Sequence, residues 1–159
     1  MTELPVVERI MGANDRLALR NRARLDEYGV RAINIMASPG AGKTSLILAT
    51  ARLLGDRLRL GVIEGDLASS VDADQVRAAG VPAVQINTGG GCHLDAIQVG
   101  QALAQLPLAE LDLLLIENVG NLVCPVSFAL GEHLRLAISS VPEGDDKPLK
   151  YPTIFAHVD

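Results

Sequence analysis

The residues with the strongest chemical signature are Ala37-Ser38-Pro39-Gly40-Ala41-Gly42-Lys43-Thr44, followed by Ser45. Glycines at this spacing let the backbone curl with its N–H groups turned inward, and a helix beginning at the lysine adds its positive N-terminal end. Such a nest suits a polyphosphate. Lys43 would reach the β and γ phosphates, and the Thr44 hydroxyl would occupy one position on Mg²⁺. The strict phosphate-loop pattern has glycine where Ala37 stands. With average glycine usage near 7%, a chance Gly-x-Gly-Lys-Thr/Ser in a chain of this length has odds of about one percent or less. A dinucleotide-binding turn does not fit, because Ser45 replaces the third glycine of that fingerprint.

Phosphoryl chemistry also needs carboxylates to hold the cation and to orient a water or acceptor. Asp66, Asp72 and Glu117 are the candidates. Glu117 ends the most apolar run of the chain, the usual place for a cation-holding acid, and Gly120 could meet a γ-phosphate through its N–H. Helix capping or plain solvation is the alternative for each acid, most of all for Asp66 and Asp72, since Asp commonly precedes helices. A third group is Cys92, His93 and Cys124. Their thiol and imidazole groups suit Zn²⁺ or Ni²⁺, although three ligands leave a position open or filled by another subunit. Read from spacing alone, these cysteines are either metal ligands or small buried side chains.

The elements that must position these groups alternate along the chain. Apolar runs at 32–36, 58–63, 83–87, 112–116 and 134–141 read as strands, and helical patterns fall at 6–28, 43–54, 71–79 and 94–106. The segment 142–152 is polar with two prolines and takes no element. Strict strand–helix alternation predicts an α/β fold of three layers, a mainly parallel sheet between helices, with ligands at the carboxyl ends of the strands. All three groups of residues fall at such ends. At 159 residues and 48% hydrophobic composition, one core and one domain (1–159, with 1–29 a leading helix) are expected.

The same composition excludes several classes. A net charge of −5 with 3% aromatic residues argues against a nucleic-acid surface. No apolar run approaches the roughly 18 residues that span a bilayer, so no membrane association is expected. Two cysteines are too few for a disulfide framework and fit a reducing compartment, the cytoplasm.

Taken together, the motifs resemble the hydrogenase nickel-incorporation GTPases (HypB), relatives of the urease accessory GTPase. The resemblance is carried by residues 38–44, Glu64-Gly65-Asp66, residues 85–89, Gly91-Cys92-His93-Leu94-Asp95-Ala96, residues 117–125 and residues 143–152. The urease relative typically has Cys-Pro-His, whereas Cys92 and His93 are adjacent, which favours the hydrogenase branch. The resemblance implies a P-loop GTPase using GTP and Mg²⁺. It implies a GTP-dependent homodimer that holds Ni²⁺ or Zn²⁺ and works with a nickel-binding maturation partner protein and the hydrogenase large subunit. It puts Cys92, His93 and Cys124 on the Ni/Zn motif and Thr44, Asp66 and Glu117 on Mg²⁺. Lys43 and Asp72 become the catalytic pair, residues 38–45 and Gly120 the nucleotide contacts, and Lys150 a basic contact to nucleotide, joined by Lys147.

Two features depart from that pattern. Neither a Cys-rich nor a His-rich nickel motif precedes the phosphate loop, so no high-affinity N-terminal nickel site is expected. The Asn-Lys-x-Asp segment with which the family recognises guanine does not occur in the 159 residues. The expectation is a sheet incomplete at its C-terminal end and a missing guanine-recognition part. Other readings of the same residues are a small-molecule P-loop kinase and a nickel or zinc carrier with a non-functional nucleotide site.

Overall fold

The fold, taken from a computed structural model, describes residues 6–66 and 71–159; the side chains of residues 6–8, 66 and 71 lie outside that description. The elements run α1 (Val6–Glu27), β1 (Arg31–Ala37), α2 (Lys43–Leu54), β2 (Leu60–Asp66), α3 (Val71–Ala78), β3 (Ala83–Asn87), α4 (Ala96–Leu103), β4 (Leu113–Glu117), β5 (Leu134–Ile138), α5 (Lys147–Lys150) and α6 (Pro152–Ala156). Five parallel strands form one sheet in the order β3-β2-β4-β1-β5. β4, the most apolar strand, lies at its centre between β1 and β2, where both faces are covered.

The period of two along the strands divides the core. Leu114 and Ile116 of β4 and Ile63 of β2 pack with Val99, Leu103 and Leu25 on the α1/α4 face. Leu115 and Val62, next to them in sequence, pack with Ile47 and Val76 on the α2/α3 face. A third cluster, Met36, Leu122, Val126 and Ile154, fixes the loop after β4 and α6 to the end of β1. Leu114 and Ile116 are fully buried, so truncation of either to alanine removes about 2–5 kcal/mol.

Several boundaries differ from the sequence reading by a few residues, three of them for a clear local reason. The strand expected at 58–63 starts at Leu60, because Arg57 and Leu58 still donate N–H bonds to Leu54 O in the turn that closes α2. The helix expected at 94–106 begins at Ala96. Asp95 caps it, its carboxylate accepting from Gln98 N while Gln98 reciprocates, which leaves Leu94 buried ahead of the helix. The strand expected to reach 141 stops at Ile138, since Ser140 opens a 3₁₀ turn, Val141–Glu143, with Pro142 at its start. The segment 142–152, given no element from sequence, holds most of that turn and the short helix α5.

Helix α1 is more than a cover. Asn21 Nδ2 donates to Ala96 O (2.8 Å) and Leu130 O (3.0 Å), while Asn14 donates to Ala129 O and accepts from Ala96 N, both at 2.8 Å. These two buried amides clamp the start of α4 and the 129–130 loop, the supports of the thiol–imidazole group.

Candidate functional site

Parallel strands running from one edge deliver their carboxyl ends together, and there a cavity of about 360 Å³ opens over the phosphate loop. Gly40 and Gly42 adopt φ of 75° and 105°, left-handed values that a side chain resists, and Gly42 serves as the N-cap of α2. Lys43, only 7% exposed, lines this cavity with Pro39, Thr44 and Ser45. Ser38 is not among the residues lining the cavity; the Ser140 hydroxyl, and after it the Ser38 hydroxyl, bind the Glu143 carboxylate and hold that acid at about 2. Ala41 closes the loop by donating its N–H to Ser38 O at 3.3 Å.

The Thr44 hydroxyl donates to both oxygens of Glu117, at 3.1 and 3.3 Å. Register and parity explain why. Glu64 and Glu117 sit opposite each other on β2 and β4, two residues beyond Val62 and Leu115, and therefore face α2. Glu64, Asp72 and Glu117 bring carboxylate oxygens within 4.8 Å of one another beside the loop. Three carboxylates and a hydroxyl converging on a phosphate nest form an all-oxygen donor set, the kind Mg²⁺ takes beside substrate phosphates. Asp72 and Glu117 were expected here; Glu64 was not. The expected Asp66 closes β2 with its backbone, and its side chain lies outside the described residues. Gly120 lies against the loop: a Cβ there would stand 2.9 Å from Pro39 Cα. Lys150 does not line this cavity and pairs instead with Asp146 at 2.7 Å, while Lys147 lies over the Tyr151 ring.

A second cluster sits past the same sheet edge. Donor atoms of Cys92, His93 and Cys124 lie within 4.8 Å of one another. Cys92 Sγ and His93 Nδ1 are 3.5 Å apart. Bond lengths of about 2.3 Å to sulfur and 2.0–2.1 Å to nitrogen put two such atoms about 3.6 Å apart on a tetrahedral ion. Burial depresses the His93 pKa, opposed by Asp95, which favours the neutral imidazole, the form able to bind a metal. The neighbouring Cys92 thiol, and burial after it, push the Cys124 thiol above its ordinary value. The His93 ring stacks on Phe128, centroids 3.8 Å apart and planes 18° from parallel. Asn121 accepts from Val123 N and Cys124 N at 2.7 and 3.1 Å and so fixes the loop carrying Cys124. No helix among the described residues is long and apolar enough to cross a membrane.

Fold and site define a P-loop nucleotide-binding domain, and the family model described as CobW/HypB/UreG, nucleotide-binding domain, matches residues 31–139. The hydrogenase maturation factor HypB of Azotobacter vinelandii is 57% identical over 156 residues, covering 98% of this chain and 52% of that protein. The Escherichia coli K12 factor is 52% identical over 147 residues, covering 92% of this chain and 51% of its own length. The crystal structure of Helicobacter pylori HypB in complex with nickel superposes with a TM-score of 0.88 at 44% identity, covering 92% of this chain and 69% of that one. The chain belongs to the HypB family of hydrogenase maturation factors. It spans about half the length of the curated relatives it matches.

Proposed function

We propose that this chain is the nucleotide-binding core of a metal-responsive GTPase that assists delivery of nickel to a [NiFe]-hydrogenase. The observation that carries the reading is that one short segment, from Glu117 to Cys124, supplies a member of each cluster. Any movement of that segment when the γ-phosphate is bound or lost must reach Cys124.

In this reading the loop amides and the Lys43 ammonium neutralise the β and γ phosphates of GTP. Thr44, Glu64 and Glu117 would hold Mg²⁺, which supplies further positive charge against the phosphates. Asp72 orients a water toward the γ-phosphorus; the bond to the β-phosphate oxygen breaks, and GDP and inorganic phosphate leave. Gly120 N–H registers the γ-phosphate. Guanine is the proposed base, supported by the likeness to the HypB family. Cys92, His93 and Cys124 hold Ni²⁺ as cargo or Zn²⁺ in its place, with a fourth ligand from solvent or a second copy. A GTP-dependent homodimer, a nickel-binding maturation partner and the hydrogenase large subunit complete the proposal, in the cytoplasm.

Coupling between two sites is reciprocal: nucleotide state changes metal affinity by the factor with which metal changes nucleotide affinity. The test is to measure Ni²⁺ and Zn²⁺ affinity with GDP and with a non-hydrolysable GTP analogue bound. Affinities that differ at least fivefold support the proposal, and identical ones remove it. Replacing Cys92 with alanine should weaken metal binding and leave nucleotide binding in place.

A further inference from the structure

Glu117 and Asn118 are consecutive at the end of β4 and face opposite sides of the sheet. Glu117 turns toward α2 and takes the Thr44 hydroxyl. Asn118 turns toward the α1/α4 face, where its Oδ1 accepts from Leu94 N at 3.1 Å, the residue that follows His93. Its Nδ2 donates to Asn34 Oδ1 at 3.1 Å, and Asn34 donates in turn to Glu132, which also takes Arg135. One amide therefore reaches from the nucleotide-facing strand end to the loop that carries two of the three soft ligands.

The setting makes this contact hard to replace. Asn118 and Asn34 are 1% and 0% exposed, so no solvent can substitute for a broken bond; an unmet buried N–H costs about 1–3 kcal/mol. Leu94 is itself fully buried and so close to Gly65 of β2 that a Cβ at Gly65 would lie 2.7 Å from its side chain. The segment is tied to β1 at two points, Asn118 N to Ile35 O (3.0 Å) and Asn121 N to Ala37 O (2.9 Å). Between the ties, Gly120 rests on Pro39 of the phosphate loop. A displacement of Gly120 or Glu117 thus turns the backbone at Asn118, and its amide either carries Leu94 along or gives up the bond.

We propose that Asn118 is a positioning residue that transmits nucleotide state to the Cys92–His93 loop through its hydrogen bond to Leu94 N. This rests on the function proposed above. Coupling is carried where both sites bias the same element, and the 117–124 segment touches both.

The experiment titrates Zn²⁺ against a chromophoric chelator in the 159-residue chain, with saturating GDP or saturating non-hydrolysable GTP analogue. The proteins compared are wild type, Asn118→Ala and Asn118→Asp. Wild type should show at least a fivefold difference between the nucleotide states. Asn118→Ala should bring that ratio within twofold of one, and Asn118→Asp, which keeps the acceptor for Leu94 N but loses the donor to Asn34 Oδ1, should keep a ratio above that of Asn118→Ala. A wild-type ratio of one removes the functional reading and this inference with it; a wild-type ratio retained in Asn118→Ala overturns the inference alone. Should Asn118→Ala not fold, hydrogen exchange of the Leu94 amide in wild type decides: protection must differ between the two nucleotide states, and equal protection overturns the proposal.

Discussion

Removing the ring of Phe128 should weaken metal binding at Cys92, His93 and Cys124 without touching any ligand. The ring lies 3.8 Å from the His93 imidazole and 18° from parallel, so it restricts the imidazole to one orientation and shields it from water. Aromatic pairs are worth about 0.5–1.5 kcal/mol beyond their buried area, which corresponds to about a 2- to 13-fold rise in Kd for Phe128→Ala. A second effect has a distinct pH signature. Burial now holds the His93 pKa below its ordinary value. Exposing the ring lets that pKa rise, so protons compete better with metal as the pH falls. The loss in Zn²⁺ affinity should therefore be larger at pH 6 than at pH 8, where mainly the stacking contribution remains. Competition titration against a chromophoric chelator at both values measures this, with Phe128→Tyr as the variant that keeps the stack and the affinity. A Kd for Phe128→Ala within twofold of wild type at both pH values would refute the reasoning.

Gly120→Ala places a Cβ 2.9 Å from Pro39 Cα, a backbone atom that cannot swing aside, and should weaken GDP binding at least about tenfold with unchanged far-UV circular dichroism; unchanged affinity would mean the two loops do not bear on each other. Asn21→Ala strips the donor shared by Ala96 O and Leu130 O and should cost about 2–4 kcal/mol in urea unfolding, lowering the midpoint at constant slope. Glu143 has its carboxyl held at about 2 by the Ser140 and Ser38 hydroxyls, below the ordinary carboxylate value. Its contribution to stability is complete above the unfolded value near about 4.3 and is lost as the pH falls toward 2. The gap in urea midpoint between wild type and Glu143→Gln should accordingly be open at pH 6 and closed near pH 2.

Legibility differed by the kind of signal. The phosphate loop could be read because Gly40, Gly42 and Lys43 are demanded by local backbone geometry, which a short motif encodes. β4 could be read because a strand buried on both faces is apolar throughout. Cys92, His93 and Cys124 could be proposed together because both segments follow strands of a parallel sheet. Glu64 escaped because a strand ended at 63 puts Glu64, Gly65 and Asp66 in one loop with no parity to tell them apart, whereas the strand runs on to Asp66 and parity turns Glu64 toward α2. Counting in twos from Val62 would have found it. Asn118, Asn34 and Asn21 escaped for a different reason: a buried amide is recognised by the partners it meets across 24 to 109 residues of sequence, and no local pattern announces them. Phe128 likewise gains its meaning only from the ring that the fold places on it.

The proposed function rests on the main-chain amides of residues 40–44, which, with Lys43 and a divalent cation, would neutralise a triphosphate beyond β1. Isothermal titration of this chain with Mg-GTP measures it directly, with Lys43→Ala as the paired variant. Saturable one-site heat is expected, with affinity at least about 30-fold weaker in Lys43→Ala, the loss seen when one partner of a buried charge pair is truncated. Absence of binding heat for the wild-type chain, or equal affinity in Lys43→Ala, would contradict it.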